Sequence, residues 1–235
     1  VRQSMSMFGE MKDQKGILPR TAKDGEMITC DSGWWTSGFY PGTLWYCYEY
    51  SNDPQVRAAA EEMTSRVEKQ KYTTSNHDVG FIINCSFGNG YRLTRNEAYR
   101  EVIETAAKSL STRFHPVTGC TRSWNSKKWQ FSVIIDNMMN LELLFWAAKH
   151  GGGKRLYDIA LSHARVTKAN HFRTDGSCYH VAVYDTISGK LIKGITHQGY
   201  SDASMWARGQ AWAVYGYTMV YRETRDKEYL RFAEK

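Results

Sequence analysis

The sequence contains no CxxC pair, no HExxH, no basic run of five or more residues, and no apolar run approaching the roughly 18 residues needed to cross a bilayer. Each absence removes a class of function. The five cysteines (Cys30, Cys47, Cys85, Cys120, Cys178) are odd in number and far apart, which argues against a disulfide framework and a zinc site and leaves free thiols. A net charge of +7 invites a nucleic-acid partner, but the lysines and arginines are dispersed, so no nucleic acid is expected and no membrane either. No metal or cofactor is expected. The sequence has no initiator Met and no signal-peptide core, as if it began after a removed leader or at a cut in a longer chain. A soluble protein is expected, with periplasm and cytoplasm left undecided.

What the chain has is aromatic surface. Eight Trp and fifteen Tyr bring the aromatic content to 14%, more than a plain helical core needs, and flat apolar rings are what sugars stack upon. Large core filling is the plainer use of the same residues. With 235 residues and 42% hydrophobic content, one large domain over 1–235 is expected rather than two small ones.

Periodicity predicts helices in pairs. Residues 55–69 place Val56, Ala60, Met63 and Val67 on one stripe, after an Asn52-Asp53 cap and Pro54 at the first helical position. Residues 94–113 open with Thr94-x-x-Glu97, a capping-box pattern, and 154–170 and a segment from Lys227 are amphipathic in the same way. Before each of these sits a segment apolar almost all round: "WTSGFYPGTLWYCYEY", "HDVGFIINCSFGNGYRL", "VIIDNMMNLELLFWAAKHG" and "SMWARGQAWAVYGYTMVYRE". A helix apolar on every side is buried, so the repeated grammar is inner helix, tight turn, outer helix. Between the third and fourth units, alternation from Tyr179 to Tyr184 and a turn at Ser188-Gly189 predict a small β-hairpin.

The unusual polar and aromatic side chains fall at the N-terminal ends of the inner segments: Trp34 and Trp35, His77 and Asp78, Asp136 and Asn137, Trp206 and Arg208. If those helices run parallel around one axis, the ends meet at one mouth, and the hairpin would carry His180 and His197-Gln198 toward it. Asp136, flanked by Ile134, Ile135, Met138 and Met139, faces a desolvation cost unless it is paired or protonated. With Asp78 it could form a carboxylate pair in which one member holds a proton. The plainer use of either is a helix N-cap. His77 and His180 are by default structural histidines, and Arg208 and Trp212, four apart, share a helix face on which a guanidinium can grip a carboxylate beside a flat ring. The residues together suit an acidic carbohydrate and do not name the bond cleaved.

"WTSGFYPG" at 35–42, "HDVGF" at 77–81, "IIDNMMNL" at 134–141 and "HQGYSDASMWARGQAW" at 197–212 closely resemble the motifs of glycoside hydrolase family 88, the unsaturated glucuronyl hydrolases. The resemblance implies an all-α fold, an (α/α)6 toroid of helix hairpins, and removal of the terminal unsaturated uronic acid from lyase-produced oligosaccharides by hydration of its enol-ether double bond. It makes Asp136 the general acid/base and Asp78 the second essential carboxylate. It places His180 and Gln198 at the uronate or the water, Arg208 at the acidic group, Trp206 and Trp212 at its ring, Trp35 and Trp124 as subsite walls, and His77 beside Asp78. The implied partner is an unsaturated uronate-containing oligosaccharide. Four hairpins are visible where the family has six, so a fragment lacking the last two is expected. Rival readings are an unsaturated rhamnogalacturonyl hydrolase acting on pectin fragments, a sugar-binding toroid without catalysis, and a structural helical repeat.

Overall fold

In the computed structural model, which describes residues 1–235, contacts gather into two units: Val1–Thr73 with Asp78–Ala106, and Thr74–His77 with Ala107–Lys235. The first begins with helix α1 (Arg2–Met11), followed by a hairpin of β1 (Ile17–Lys23) and β2 (Glu26–Asp31). Asp24 and Gly25 make its turn, both at positive φ, the backbone that a two-residue hairpin requires. The last carbonyls of α1 are met by the guanidinium of Arg66, which donates to Met11 O, Lys12 O, Gln14 O and Ile17 O at 2.9–3.2 Å. A cation at a helix C-terminus satisfies carbonyls that have no helical partner.

Helices α2 (Phe39–Ser51) and α3 (Pro54–Ser65) form the first helix hairpin, and α4 (Val79–Ile83), a stretch of wider π-type turns over Asn84–Gly88, and α5 (Asn89–Thr94) form one broken inner helix. Helix α6 (Glu97–Ser111) follows and runs across the boundary between the units. The first core gathers Met11, Tyr40, Leu44, Trp45, Ala59, Ala60 and Met63, with the Trp45 indole N–H donating to Thr64 Oγ1 at 2.9 Å.

Three of the helix-to-helix turns share one construction. Asn52, Arg95 and Arg225 each close a helix in the left-handed conformation, their N–H groups donating to the carbonyls of Tyr48, Tyr91 and Tyr221. The next residue is Asp53, Asn96 or Asp226, whose side-chain oxygen accepts the N–H two positions on and starts the following helix. The Asp53 cap and Pro54 are as the sequence predicts. The Thr94 capping box is not formed: Thr94 ends α5, its hydroxyl accepts the Asn96 N–H, and Asn96 caps α6 in its place. An Asx side chain directly before the helix is better placed for this than a threonine still inside the preceding one.

The second unit continues with the two-residue strands β3 (Phe114–His115) and β4 (Cys120–Thr121), then β5 (Ser132–Ile134), α7 (Asn137–Ala147), α8 (Lys154–Asn170), β6 (Val181–Tyr184), β7 (Leu191–Ile195), α9 (Ala207–Thr224) and α10 (Lys227–Glu234). Two boundaries, 154–170 and Lys227, fall where periodicity puts them. The predicted hairpin is β6 and β7, but it is part of a three-stranded antiparallel sheet in the order β5-β6-β7. "VII" is therefore strand and turn rather than the start of the inner helix. Val181 and Val183 pack with Ile134 and Trp129 on one face, and Ala182 and Tyr184 pack with Val133 and Cys120 on the other. Both faces are covered, so all of β6 is buried. The five cysteines are free thiols, and no helix is long and apolar enough to cross a membrane.

The glycines of "WTSGFYPG" allow backbone to touch backbone. A Cβ at Gly38 would collide with the Ile82 carbonyl oxygen, and one at Gly42 would lie 2.6 Å from that of Cys85. Gly42→Ala should gain about 1 kcal/mol of helix propensity and lose about 1–3 kcal/mol to overpacking, for a net loss of stability. Denaturant unfolding measures the sign, and an unchanged or raised midpoint would show that the close approach does not constrain position 42.

Candidate active site

Asp136 stands where strand β5 becomes helix α7. The β5–β6 ladder pairs Ile134 with Val181 and continues through the Ile135 N–H to the His180 carbonyl at 3.0 Å. One residue later the chain turns, and the Met139 N–H bonds back to the Asp136 carbonyl. The carboxyl group is withdrawn from water, the residue being 7% exposed, and makes no capping hydrogen bond to its own helix. Instead Oδ1 faces His180 Nε2 across 3.8 Å.

The state of His180 follows from its other nitrogen. Nδ1 accepts two backbone N–H groups, from His197 at 3.1 Å and Gln198 at 2.8 Å. It therefore carries no proton, and the neutral ring presents Nε2–H toward Asp136. Burial, helped by His197 and Arg208, pushes its pKa down to about 3.

Aromatic rings line the surroundings. Trp206 leans on His180 with ring centroids 4.5 Å apart, and Trp212 meets Trp206 edge-on at 5.9 Å. The Arg208 guanidinium lies 4.5 Å from the Trp206 ring and 5.1 Å from that of Trp212, and its Nη2 donates to Gln198 Oε1 at 2.5 Å. The shared face predicted for Arg208 and Trp212 is thus formed, with the cation held between two indoles. Trp124 lies 6.3 Å from His180 and stacks on Trp129 at 6.1 Å, while His197 sets its ring against both indoles. His77 is buried, with Nδ1 2.8 Å from Asn140 Nδ2 and its ring 6.4 Å from Trp124. Burial, then Arg113, lowers its pKa to about 3.

Asp136, His180, Gln198, Trp206, Arg208, Trp212, Trp124 and His77 thus belong to the second unit, and Asp78 and Trp35 to the first. Asp78 precedes α4 and, like Asp136, makes no side-chain cap. Trp35 joins Phe39 and Phe81 in a ring cluster with centroids 5.7–5.9 Å apart. Its neighbour Trp34 lies under the Arg20 guanidinium at 3.8 Å. No group of three or more His, Cys, Asp and Glu side chains is arranged to hold a metal ion.

Beneath Asp136 lies a buried polar network that the motifs do not disclose. Asn137 accepts from the Ser123 hydroxyl at 2.7 Å and donates to Thr121 O at 2.8 Å, while Ser123 Oγ takes the Ile134 N–H. His163 Nδ1 accepts the Thr121 N–H at 3.0 Å, and His171 Nε2 lies 3.1 Å from Val133 O. The usable signal was two asparagines, 137 and 140, inside an apolar run, since buried amides must find partners.

Residues 11–233 match the profile of Glycosyl Hydrolase Family 88. The chain is 49% identical over 203 residues to an unsaturated glucuronyl hydrolase from Formosa agariphila, covering 85% of this chain and 51% of that protein. It is 35% identical over 215 residues to an unsaturated chondroitin disaccharide hydrolase from Streptococcus pyogenes, covering 89% and 54%. Among solved structures it matches an unsaturated glucuronyl hydrolase specific for heparin, with a TM-score of 0.94, 44% identity, and 99% and 64% of the two chains covered. An unsaturated glucuronyl hydrolase from Streptococcus agalactiae matches with a TM-score of 0.90 at 29% identity, with 99% and 60% covered. The all-α, (α/α)-toroid class expected from the sequence is the class shared with these structures. The chain spans about half the length of the curated relatives it matches.

Four buried rings, His77, His163, His171 and His180, have pKa values lowered to about 3, 3, 4 and 3 from an ordinary 6.5. Below pH 6.5 the unfolded chain takes up protons that the folded chain refuses. Stability is therefore full above 6.5 and falls with pH, by roughly 1.4 kcal/mol per pH unit for each ring, until the folded rings titrate. Unfolding midpoints at about pH 7.5 and about pH 5 should differ accordingly, and equal midpoints would contradict four neutral rings.

Proposed function

The chain belongs to glycosyl hydrolase family 88, and on that premise we propose that it removes the terminal Δ4,5-unsaturated uronic acid from lyase-generated glycosaminoglycan oligosaccharides. The reaction is hydration of the enol ether. Asp136 delivers its proton to C4, water adds at C5 while returning a proton to the carboxylate, and the resulting hemiketal opens to release the neighbouring sugar. Because no carboxylate attacks the anomeric carbon, the usual separation rule for paired glycosidase carboxylates does not apply.

One observation carries this reading. A carboxyl mostly withdrawn from water leaves its own helix uncapped and faces the Nε2–H of a histidine held neutral by two backbone amides. Such a donor can stabilise the carboxylate left after proton delivery without itself competing as an acid. Arg208, held between Trp206 and Trp212 and against Gln198, takes the uronate carboxylate, and the indoles take the ring faces. His180 and Gln198 sit at the water and the acidic group. Within the second unit Trp124, beside His180, is a subsite wall.

The test is loss of the ultraviolet enol-ether absorbance of an unsaturated chondroitin disaccharide, followed by heparin-derived and pectin-derived ones. Asp136→Asn should lower kcat by about a hundredfold or more while disaccharide binding is largely kept. Full turnover in that variant would remove Asp136 from its role. Binding without turnover by the unsubstituted chain on all three substrates would leave a sugar-binding protein.

A further inference from the structure

The two amides that set the state of His180 lie on the chain between β7 and α9, residues 196–206, which has no helix or strand of its own. Fixing an irregular segment costs conformational entropy at every residue, so its place depends on bonds from outside. Within it, Asp202 Oδ1 accepts the Thr196 N–H at 2.6 Å, the Thr196 hydroxyl donates to Gln198 O, and Ser204 Oγ accepts the Ser201 N–H at 2.9 Å. These bonds close the loop on itself and do not set where it sits.

Side chains of His180, Arg208 and Arg173 bond to the loop from outside. The first two belong to the site. Arg173 lies in the turn after α8, its N–H donating to Ser177 O at 2.8 Å and its guanidinium 4.1 Å from the Tyr179 ring. Nη1 donates to Ser177 Oγ at 3.0 Å and Cys178 O at 3.2 Å, in the segment leading into His180. Nη2 donates to Asp202 O at 2.5 Å and to Ser204 O at 3.5 Å, in the loop. One planar group thus ties the segment that carries the ring to the loop that carries its two donors. A guanidinium has the fixed fork for this, whereas an ammonium is a single point. The ring side is also held from α9, where Gln210 Oε1 accepts the Cys178 N–H at 3.0 Å and Nε2 donates to Gly176 O at 3.1 Å. The loop has no such second tie from Gln210.

We infer that Arg173 is a positioning residue: by holding the Asp202 and Ser204 carbonyls it keeps the His197 and Gln198 amides on His180 Nδ1, and so keeps the ring's proton on Nε2, facing Asp136. For its bearing on turnover the inference rests on the proposed hydrolase reading. Arg173 bonds to neither the ring nor Asp136 and acts through the loop. Without it the amides leave Nδ1, and the neutral ring loses its reason to carry the proton on Nε2. The other tautomer turns a lone pair toward Asp136, so the carboxylate left after proton delivery loses its donor. The same loop carries Gln198, whose Oε1 accepts from Arg208.

Nitrogen NMR of the full chain labelled at histidine reads the tautomer without substrate. In the unsubstituted chain at neutral pH the His180 signals, identified by their loss in His180→Gln, should show a protonated Nε2 and a bare Nδ1. Arg173→Gln should move them toward the Nδ1–H form. A merely structural role would lower the unfolding midpoint and leave the tautomer of the folded protein unchanged, and that result overturns the inference. Arg173→Lys keeps the cation without the fork and should show a smaller shift in the same direction. Where the glutamine variant does not fold, the lysine variant decides, an unchanged spectrum again counting against the clamp. On the unsaturated chondroitin disaccharide, kcat should fall about tenfold or more in Arg173→Gln. A shifted tautomer with kcat unchanged overturns the bearing on turnover. Absence of turnover by the unsubstituted chain sinks the hydrolase reading alone, since the tautomer is read without it.

Discussion

The pairing of β5 with β6 sets the position of the groups around Asp136. Three residues on each strand pair in register, and the Ile135 N–H to His180 carbonyl bond extends the ladder to the point where the chain turns into α7. A slip of one residue would send every side chain to the opposite face, so a ladder buried on both sides admits one register. Asp136 and His180 face each other because β5, which Asp136 follows, and β6, which His180 precedes, are locked together antiparallel, and the His197 and Gln198 amides beyond β7 then choose the ring's tautomer.

The corner is built at some cost to local stability. An aspartate before a helix ordinarily contributes about 1 kcal/mol by capping it, and neither Asp136 nor Asp78 does so. The other helix starts with an Asx residue, Asp53, Asn96 and Asp226, are capped in full. In a chain that otherwise uses the residue as a cap, these two aspartates leave the local stabilisation unused. Support comes from below, where Asn137, Ser123, Thr121 and His163 satisfy one another and the backbone of β5. A buried polar network rigidifies a site where its members find partners, as Asn137, Ser123 and Thr121 do; His163 Nε2, on the far side of the ring, has none.

Legibility followed the range of the forces. The helix over 154–170 and the start at Lys227 were readable because amphipathic period and caps act within a turn or two. The Asp24-Gly25 hairpin is equally local and carries the strongest short hairpin signal there is, but it lies outside the helix-pair pattern. The Thr94 box failed for another reason: Thr94 and Asn96 both had the right chemistry, and only the left-handed turn at Arg95 settled which one stood outside the helix. Trp34 and Trp35 were indistinguishable in sequence and have different partners in the fold, one under Arg20 and the other among Phe39 and Phe81.

The sequence by itself determined the helix pairs, the small hairpin and the residue types gathered at the inner-helix starts, because those depend on neighbours a few positions away. Only the tertiary structure decided that Asp136 leaves its helix uncapped, that His180 is neutral with its proton on Nε2, and that His77 is held by Asn140, 63 residues along the chain. A buried polar group takes its state from whichever donors and acceptors the fold delivers to it, and no local pattern specifies those.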